Sequence, residues 1–353
     1  MATTTPLPSQ PGQATIAQAP DELDSNELTI ASLKGCDRTV RLLLEQGTDV
    51  NAQGGFYGSA LYAASSAGHE QIIRLLLEKG ADINAQGGPY GNALYVTSSD
   101  AKERIVRMIL EHSPNSNTLG YKNNLLDRLL EKRPDIKMQG GIYGNALYAA
   151  SIEGHAQIAQ LLLDQGADVN ARGGIYGNAL YAALSKGHTA VVYLLLDNGA
   201  DPNVQGGHYG NALQIASSKG LADITQLLLK KGANTNAQGG YYGNALQAAS
   251  FRGHEQIIQL LLEKGVNVNA QGGSYGNALQ AASFGGHERI VLLLLENCAD
   301  VNAQGGTYDN ALYAALSEGH YGIAQLLLEK GWEKSPMATC WPQFDSYIAQ
   351  RSE

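Results

Sequence analysis

Apolar and polar residues follow a pattern along this chain that returns every 33 residues. In the copy that spans residues 242–274, Asn244 precedes a short stretch, 246–249, whose residues are mostly small or apolar. Asparagine is a preferred N-cap, so the stretch predicts a short helix that begins after Asn244. Gly253 and His254 are expected to end it.

The next ten residues of this copy, 255–264, place isoleucine and leucine at helical spacing among glutamate, glutamine and lysine. This spacing predicts a second, amphipathic helix with a wide apolar face. Gly265 is expected to end that helix in the left-handed conformation. The glycine-rich segment 269–273 then predicts a hairpin that leads into the following copy.

A recurrent tyrosine marks the copies. It occurs at Tyr57, Tyr90, Tyr143, Tyr176, Tyr209, Tyr242, Tyr275 and Tyr308. Six of the seven intervals are 33 residues, and the exception, of 53, is two periods less 13 residues. One copy holds about six large apolar side chains, worth roughly 1.5–3 kcal/mol each when buried. Ordering its residues costs about 1.5 kcal/mol apiece, so we expect copies to be stable only when stacked.

The segment GHEQIIQLLLEKG is followed within a few residues by an asparagine and then by the tripeptide NAQ. This arrangement recurs in variant form through residues 24–340. This segment and the 33-residue period resemble the ankyrin repeat family. The resemblance implies an all-α solenoid of helix pairs joined by β-hairpin loops. It also implies a concave face that binds proteins.

The sequence departs from the usual helix-opening Thr-Pro-Leu-His of the family. Residues 92–95 and 277–280 read Asn-Ala-Leu followed by Tyr or Gln. Such GGxYGNAL copies look like those of filamentous-fungal ankyrin proteins, where similar arrays often follow a NACHT-type nucleotide-binding module. No GxxxxGK[ST] motif of such a module occurs in this chain.

These patterns predict a disordered head at 1–23, about ten ankyrin repeats over 24–340, and a C-terminal capping tail at 341–353. The tail could instead be a partner-binding peptide. The first repeat is atypical and is expected to be a cap. The repeat near 120–142 is truncated, because Pro114 and a polar run occupy the place of its first helix. We expect a weak joint there, and the alternative is a gene-model error that removed 13 residues.

Composition narrows the classes of partner and compartment. The net charge is −9, from 33 acidic and 24 basic residues, and no basic stripe is apparent for nucleic-acid phosphates. The three cysteines are scattered, which favours a reducing compartment, cytoplasmic or nuclear. No apolar run is long enough to span a membrane. We therefore expect an intracellular monomer with an unidentified protein partner and no direct binding to nucleic acid or membranes.

The candidate chemistry points away from catalysis. Six histidines share one repeat position: His69, His155, His188, His254, His287 and His320. Sites about 10 Å apart along a stack do not converge on one metal or substrate, so we interpret them as structural. The glycine-rich segments are interpreted as hairpins in preference to phosphate loops. We predict no catalytic residues, no metal and no cofactor.

Function is expected where the copies differ within a fixed framework. Two positions vary most, the residue before the hairpin tyrosine and the pair that closes the first helix. Consecutive repeats place aromatic, histidine and arginine side chains there: His208, Tyr241, Phe251, Arg252 and Phe284. We predict that these five residues form a partner-binding patch. Phe251 and Phe284 could instead pack on each other or on helix ends.

The recurrent tyrosines are expected to stack along the hairpin row as an apolar ladder, with an exposed sticky edge as the alternative. The predicted function is that of a protein-binding scaffold or adaptor without enzymatic activity. Two alternatives remain at the level of sequence. One is a transcription co-regulator, for example of fungal specialised metabolism, and the other is a detached sensor arm of a nucleotide-binding receptor.

Overall fold

The structure, a computed structural model, describes residues 26–88, 91–111, 135–136, 144–206 and 210–331. Within these ranges the chain forms nine pairs of short helices. The first helices are α1 (Glu27–Leu33), α3 (Ala60–Ala67), α5 (Ala93–Ser99), α7 (Ala146–Glu153), α9 (Ala179–Lys186), α11 (Ala212–Ser218), α13 (Ala245–Arg252), α15 (Ala278–Phe284) and α17 (Ala311–Ser317). The second helices are α2 (Asp37–Glu45), α4 (Glu70–Glu78), α6 (Glu103–Glu111), α8 (Ala156–Asp164), α10 (Thr189–Asp197), α12 (Ala222–Lys230), α14 (Glu255–Glu263), α16 (Glu288–Glu296) and α18 (Tyr321–Glu329).

Hairpins connect the helix pairs. Strands β1 (Gln205–Gly206) and β2 (Gly210–Asn211) pair antiparallel. Elsewhere the hairpin is reduced to a single bridge, as between Gly239 and Gly243 or between Gly272 and Gly276. The predicted all-α class, with helix pairs joined by hairpin loops, is confirmed.

The described residues divide into two compact units. One holds those up to residue 150 together with 157–167, and the other holds 151–156 and those from 168 onward. In the first unit α1 packs on α3 and α3 packs on α5. In the second unit α9, α11, α13, α15 and α17 pack on one another in sequence order. This order confirms the predicted stacking of neighbouring repeats within each unit.

The first helices begin and end where the local sequence predicts. Asn244 has extended backbone, and its side chain accepts a hydrogen bond from the Gln247 N–H at 2.8 Å. Gly253 ends this helix with a φ of 81°. A side chain at Gly253 would also come within 2.7 Å of the His287 ring of the next repeat. The glycine therefore serves both the helix end and the close approach of the neighbour.

Burial follows the predicted pattern of small and large residues. The first helix α13 is buried along most of its length, and its alanines allow neighbouring first helices to pack closely. The second helix α14 buries Ile257, Ile258 and Leu261 and turns Gln256 and Gln259 to the surface. Each repeat thus lacks enough apolar surface to cover itself and shares a core with its neighbours.

Two recurrent polar contacts join neighbouring repeats. The Nε2 atom of His254 donates to the Ser218 carbonyl oxygen of the preceding repeat at 3.2 Å, and His69, His188, His287 and His320 repeat this contact with their own neighbours. Asn203 donates to the Gly232 carbonyl at 3.0 Å and accepts from the Asn234 N–H at 2.8 Å. These five histidines therefore hold backbone groups of the adjacent repeat, as a structural role requires.

Cys298 occupies the position at which most other repeats have the glycine that ends the second helix. Its φ is 63°, in the left-handed region that a non-glycine residue adopts at a cost of roughly 1 kcal/mol. Gly265, at the same position one repeat earlier, has a φ of 71°, as predicted.

Several expectations from the sequence concern residues outside the described ranges. These are the disordered head at 1–23, the weak joint at the truncated repeat near 120–142, and the capping tail at 341–353. None of the helices in the described ranges has the length and apolar character that crossing a bilayer requires.

Candidate protein-binding surface

Five aromatic rings form a continuous stack in the second unit, here called the aromatic ladder: Tyr242, Phe251, Tyr275, Phe284 and Tyr308. Successive centroids lie 5.9, 4.6, 5.3 and 4.8 Å apart. Tyr242 and Tyr275 are buried, whereas the other three rings are half-buried. Pairs of this kind contribute about 0.5–1.5 kcal/mol each beyond the area they bury.

The ladder shows how the rings of Phe251 and Phe284 pack. The two rings stack on each other at 5.9 Å with an interplanar angle of 26°. Each also lies between two hairpin tyrosines, so they pack as one of the sequence interpretations foresaw. The predicted stacking of successive hairpin tyrosines is confirmed for Tyr242 and Tyr275, whose rings lie 6.5 Å apart, whereas Tyr308 joins the ladder through Phe284.

Tyr241 and Arg252 lie at the borders of the ladder and reach solvent. The Tyr241 side chain is 40% exposed, its ring meets that of Tyr242 edge-on at 5.2 Å, and its hydroxyl lies 3.4 Å from that of Tyr275. The Arg252 Nε donates to the Tyr242 hydroxyl at 3.2 Å, and its Cζ lies 5.2 Å from the Phe251 centroid. Both side chains are therefore held by the ladder while their polar groups remain accessible.

Four of the five residues predicted to bind a partner are thus close together. Tyr241, Phe251, Arg252 and Phe284 all belong to the ladder or touch it. The fifth, His208, lies outside the described residues.

Two tyrosines of the ladder, Tyr275 and Tyr308, have a raised pKa. Burial raises the pKa of Tyr275 well above its usual range, and the hydrogen bond with Tyr241 acts in the same direction. Burial also raises the pKa of Tyr308, with the carboxylate of Glu318 as the next cause. The hydroxyls of Tyr275 and Tyr308 are therefore neutral at pH 7, and the cations beside the ladder supply the positive charge.

Three cations follow one another at a single repeat position, here called the basic row: Lys186, Lys219 and Arg252. All three are exposed and lie at or just after the end of a first helix. Partial burial lowers the pKa of Lys219, and the nearby charges of Arg252 and Lys186 lower it further. None of the three forms an ion pair with a described residue.

Lys186 and Lys219 were not singled out from the sequence, although the signal was present. The residue that closes the first helix is Glu153, Lys186, Lys219, Arg252, Gly285 and Glu318 in six successive repeats. Three successive cations at one position form a row in any stack of repeats. The prediction from the sequence weighted aromatic side chains and therefore named Phe251 and Phe284, not the two lysines.

Other features of the described residues offer less. The described residues hold no group of three or more metal-ligating side chains. An open cleft of 340 Å³ in the first unit is lined by Glu70, Arg74, Arg104, Arg107, Met108 and Glu111. Its Arg104 pairs with Glu70, and Arg107 pairs with Glu103, both at 3.1 Å. Because its charges are largely paired with neighbouring carboxylates, this cleft is a weaker candidate than the ladder.

Comparison with known proteins gives three findings. The sequence profile of the family described as "Ankyrin repeats (3 copies)" matches residues 28–119, 118–206, 206–272 and 271–338. The crystal structure of an ankyrin repeat domain from Acinetobacter baumannii AYE is 27% identical, with a TM-score of 0.49, over 59% of this chain and 98% of that one. No curated protein matches this chain.

Proposed function

This chain belongs to the ankyrin-repeat family, and from that premise we propose that it is an adaptor that binds a partner protein through its concave face and hairpin tips. Ankyrin repeats generally mediate protein–protein interaction and are typically non-catalytic. The proposal places the main contact at the aromatic ladder and its borders.

The observation that supports this choice is the pairing of exposed anchors with a rigid base. Tyrosine and arginine are the side chains most often found to dominate binding energy at protein interfaces. Tyr241 and Arg252 are both exposed, and both are fixed by contacts to buried or half-buried rings. Anchors that are already ordered lose little conformational entropy on binding.

We propose different roles for the other residues of the patch. Phe251 and Phe284 support the anchors and present only the exposed parts of their rings. His208 precedes the hairpin tyrosine Tyr209 as Tyr241 precedes Tyr242, so we keep it in the patch as a tip contact. We propose that a partner bridges the tips and the ends of the first helices.

The test compares two double variants of the full chain as bait in crosslinked capture from native extract. The first, Tyr241→Ala with Arg252→Ala, removes the anchors. The control, Tyr193→Ala with Lys264→Ala, removes a tyrosine of equal exposure, 40%, and a cation, both in second helices or at their ends. Loss of the anchors should weaken capture by at least about tenfold, while the control retains it.

Thermal unfolding separates binding from folding. Both double variants should melt within about 3 °C of the natural protein, because the side chains removed lie at the surface and outside the core. Equal capture by the two double variants would contradict the assignment. A Phe251→Ala variant is a poor test of binding, since it removes a ring from the ladder and is expected to cost about 2–3 kcal/mol of stability.

A further inference from the structure

The basic row is unusual in a chain whose net charge is −9. Three neighbouring repeats of one compact unit each expose a cation at the same position, and none of these cations is ion-paired with a described residue. Like charges held close together repel one another, and this repulsion adds to the partial burial that lowers the pKa of Lys219. Anionic groups placed along the row would relieve this repulsion.

We propose that the basic row recognises an extended acidic segment of the partner protein, with one carboxylate at every third residue. This inference rests on the proposed function, because it names the chemistry of a partner bound at the same surface. Arg252 belongs to both the row and the ladder, since it donates to the Tyr242 hydroxyl and lies against the Phe251 ring. An acidic segment on the row would therefore run beside the ladder.

The spacing follows from the geometry of packed helices and extended chains. Neighbouring packed helices lie about 8–10 Å apart, which sets the distance between the backbone positions that carry successive cations of the row. A chain in the polyproline II conformation rises about 3.1 Å per residue with three residues per turn, so every third side chain faces the same side at intervals of about 9 Å. Seven residues in this conformation thus reach all three cations with the first, fourth and seventh side chains, whereas an α-helix, rising 1.5 Å per residue, would need about 15 residues.

Residues at the two ends of the row limit the acidic segment to three carboxylates. The same repeat position holds Glu153 before Lys186, and it holds Gly285 and then Glu318 after Arg252. A further carboxylate opposite Glu153 would be repelled. The residue opposite Gly285 would lie beside Phe284, a half-buried ring that favours an apolar side chain. The expected motif is three acidic residues at intervals of three, with an apolar residue three positions beyond the end that meets Arg252.

Fluorescence anisotropy of the full chain with labelled synthetic peptides tests this motif. One ten-residue peptide has aspartate at its first, fourth and seventh positions, leucine at its tenth, and serine elsewhere. Its reversed-sequence counterpart covers the opposite direction of binding, and an isomer of the same composition carries the three aspartates consecutively. At low salt the better of the spaced peptides should bind at least about fivefold more tightly than the isomer, and added salt should weaken it.

Charge-reversal variants place the contact. Lys219→Glu, at the centre of the row, should weaken binding of the spaced peptide by about tenfold. The neutral variant Lys219→Gln should weaken it by about threefold, and it serves if Lys219→Glu fails to fold. Lys264→Glu carries the same change of net charge at the end of the second helix α14 and should stay within about twofold.

The remaining outcomes contradict the inference in distinct ways. Equal binding of the spaced and the consecutive peptides would show that the surface attracts negative charge without requiring a carboxylate at every third residue. Equal losses for Lys219→Glu and Lys264→Glu would show a net-charge effect alone. A single-stranded oligonucleotide that competes at equal charge would identify a different occupant. If neither spaced peptide binds while the Tyr241 and Arg252 double variant still loses its captured partner, the acidic segment is wrong and the adaptor function stands. If that double variant also keeps its partner, both proposals fall.

Discussion

The repeat that contains Tyr62 and the repeats that contain Gln214, Gln247 and Gln280 hold the following hairpin in different ways. These four residues share one position in the first helix. The Tyr62 ring lies against the next hairpin so closely that a side chain at Gly88 would come within 2.6 Å of it. The Gln247 amide instead donates to the carbonyls of Ala270 and Gly276, at 3.1 and 3.0 Å, and Gln214 and Gln280 make the equivalent pairs of bonds.

The difference coincides with how the hairpin tyrosine is used. In the Tyr62 repeat, Tyr57 is half-buried and Phe56 beside it is exposed. In the glutamine repeats, Tyr242 and Tyr275 are buried and belong to the aromatic ladder. The two hydrogen bonds of each glutamine fix the position of the following hairpin, because hydrogen bonds have preferred directions. The glutamine repeats are therefore suited to a preformed binding surface.

The largest expected effect comes from crowding the hairpin of a glutamine repeat. Gly243 and Gly177 share one repeat position and a φ of 92°, but the repeat of Gly177 has Tyr181 at the position of Gln247. A side chain at Gly243 would overlap the Gln247 amide and lie 2.8 Å from the Gly272 backbone, whereas the nearest described atom to one at Gly177 is the Gly206 Cα at 3.8 Å. Gly243→Ala should cost about 4 kcal/mol and Gly177→Ala about 1–2 kcal/mol in urea unfolding.

Equal losses of stability in the two alanine variants would contradict the proposed difference between the two kinds of repeat. They would mean that left-handed backbone alone explains the glycines and that the two kinds of repeat hold their hairpins equally tightly.

A smaller effect is expected from removing one glutamine amide. Gln247→Leu would leave the buried Asn244 N–H and the Ala270 carbonyl without the partners they have now. The expected loss is about 3 kcal/mol. Gln259→Leu, on the exposed side of the neighbouring second helix, should change stability by less than about 0.5 kcal/mol. Urea unfolding of both variants, with circular dichroism as the signal, measures the difference, and a Gln247→Leu loss below about 1 kcal/mol would contradict the hairpin role of the amide.

The smallest effect concerns alkaline pH. Because the folded state raises the pKa of Tyr275 and Tyr308, it retains protons that the unfolded chain releases near pH 10. This contribution to stability is complete below pH 10 and decreases as the pH rises beyond it. Urea midpoints between pH 9 and 11 should fall less steeply for Tyr275→Phe than for the natural protein. Parallel slopes would show that the ladder hydroxyls do not favour the protonated form.

Much of the fold could be predicted because its signals are local. Asn244 and Gly265 act within one turn of their own helices, so their types and spacing suffice to predict a cap and a helix end. The tyrosine ladder could also be predicted, because residues spaced by one repeat lie side by side in any stack. Periodicity thus carries both local and nearest-neighbour information.

The surface was less predictable because it depends on contacts that one repeat does not specify. Whether Phe251 packs or binds depends on Tyr275 of the following repeat, which lies 4.6 Å away. The role of Gln247 depends on backbone carbonyls 23 and 29 residues later, which belong to the next hairpin. Lys219 belongs to a row of positive charge only because the neighbouring repeats place a cation on either side of it.

Hydrogen–deuterium exchange of the full chain, with and without its captured partner, is the sharpest test of whether the partner binds at the aromatic ladder and the hairpin tips. The adaptor assignment predicts slower exchange on binding in 241–252 and 274–285, which hold the ladder and the tips, with little change in the second helix α14 or in 57–88. Slower exchange confined to second helices, or to the Tyr62 repeat, would contradict it.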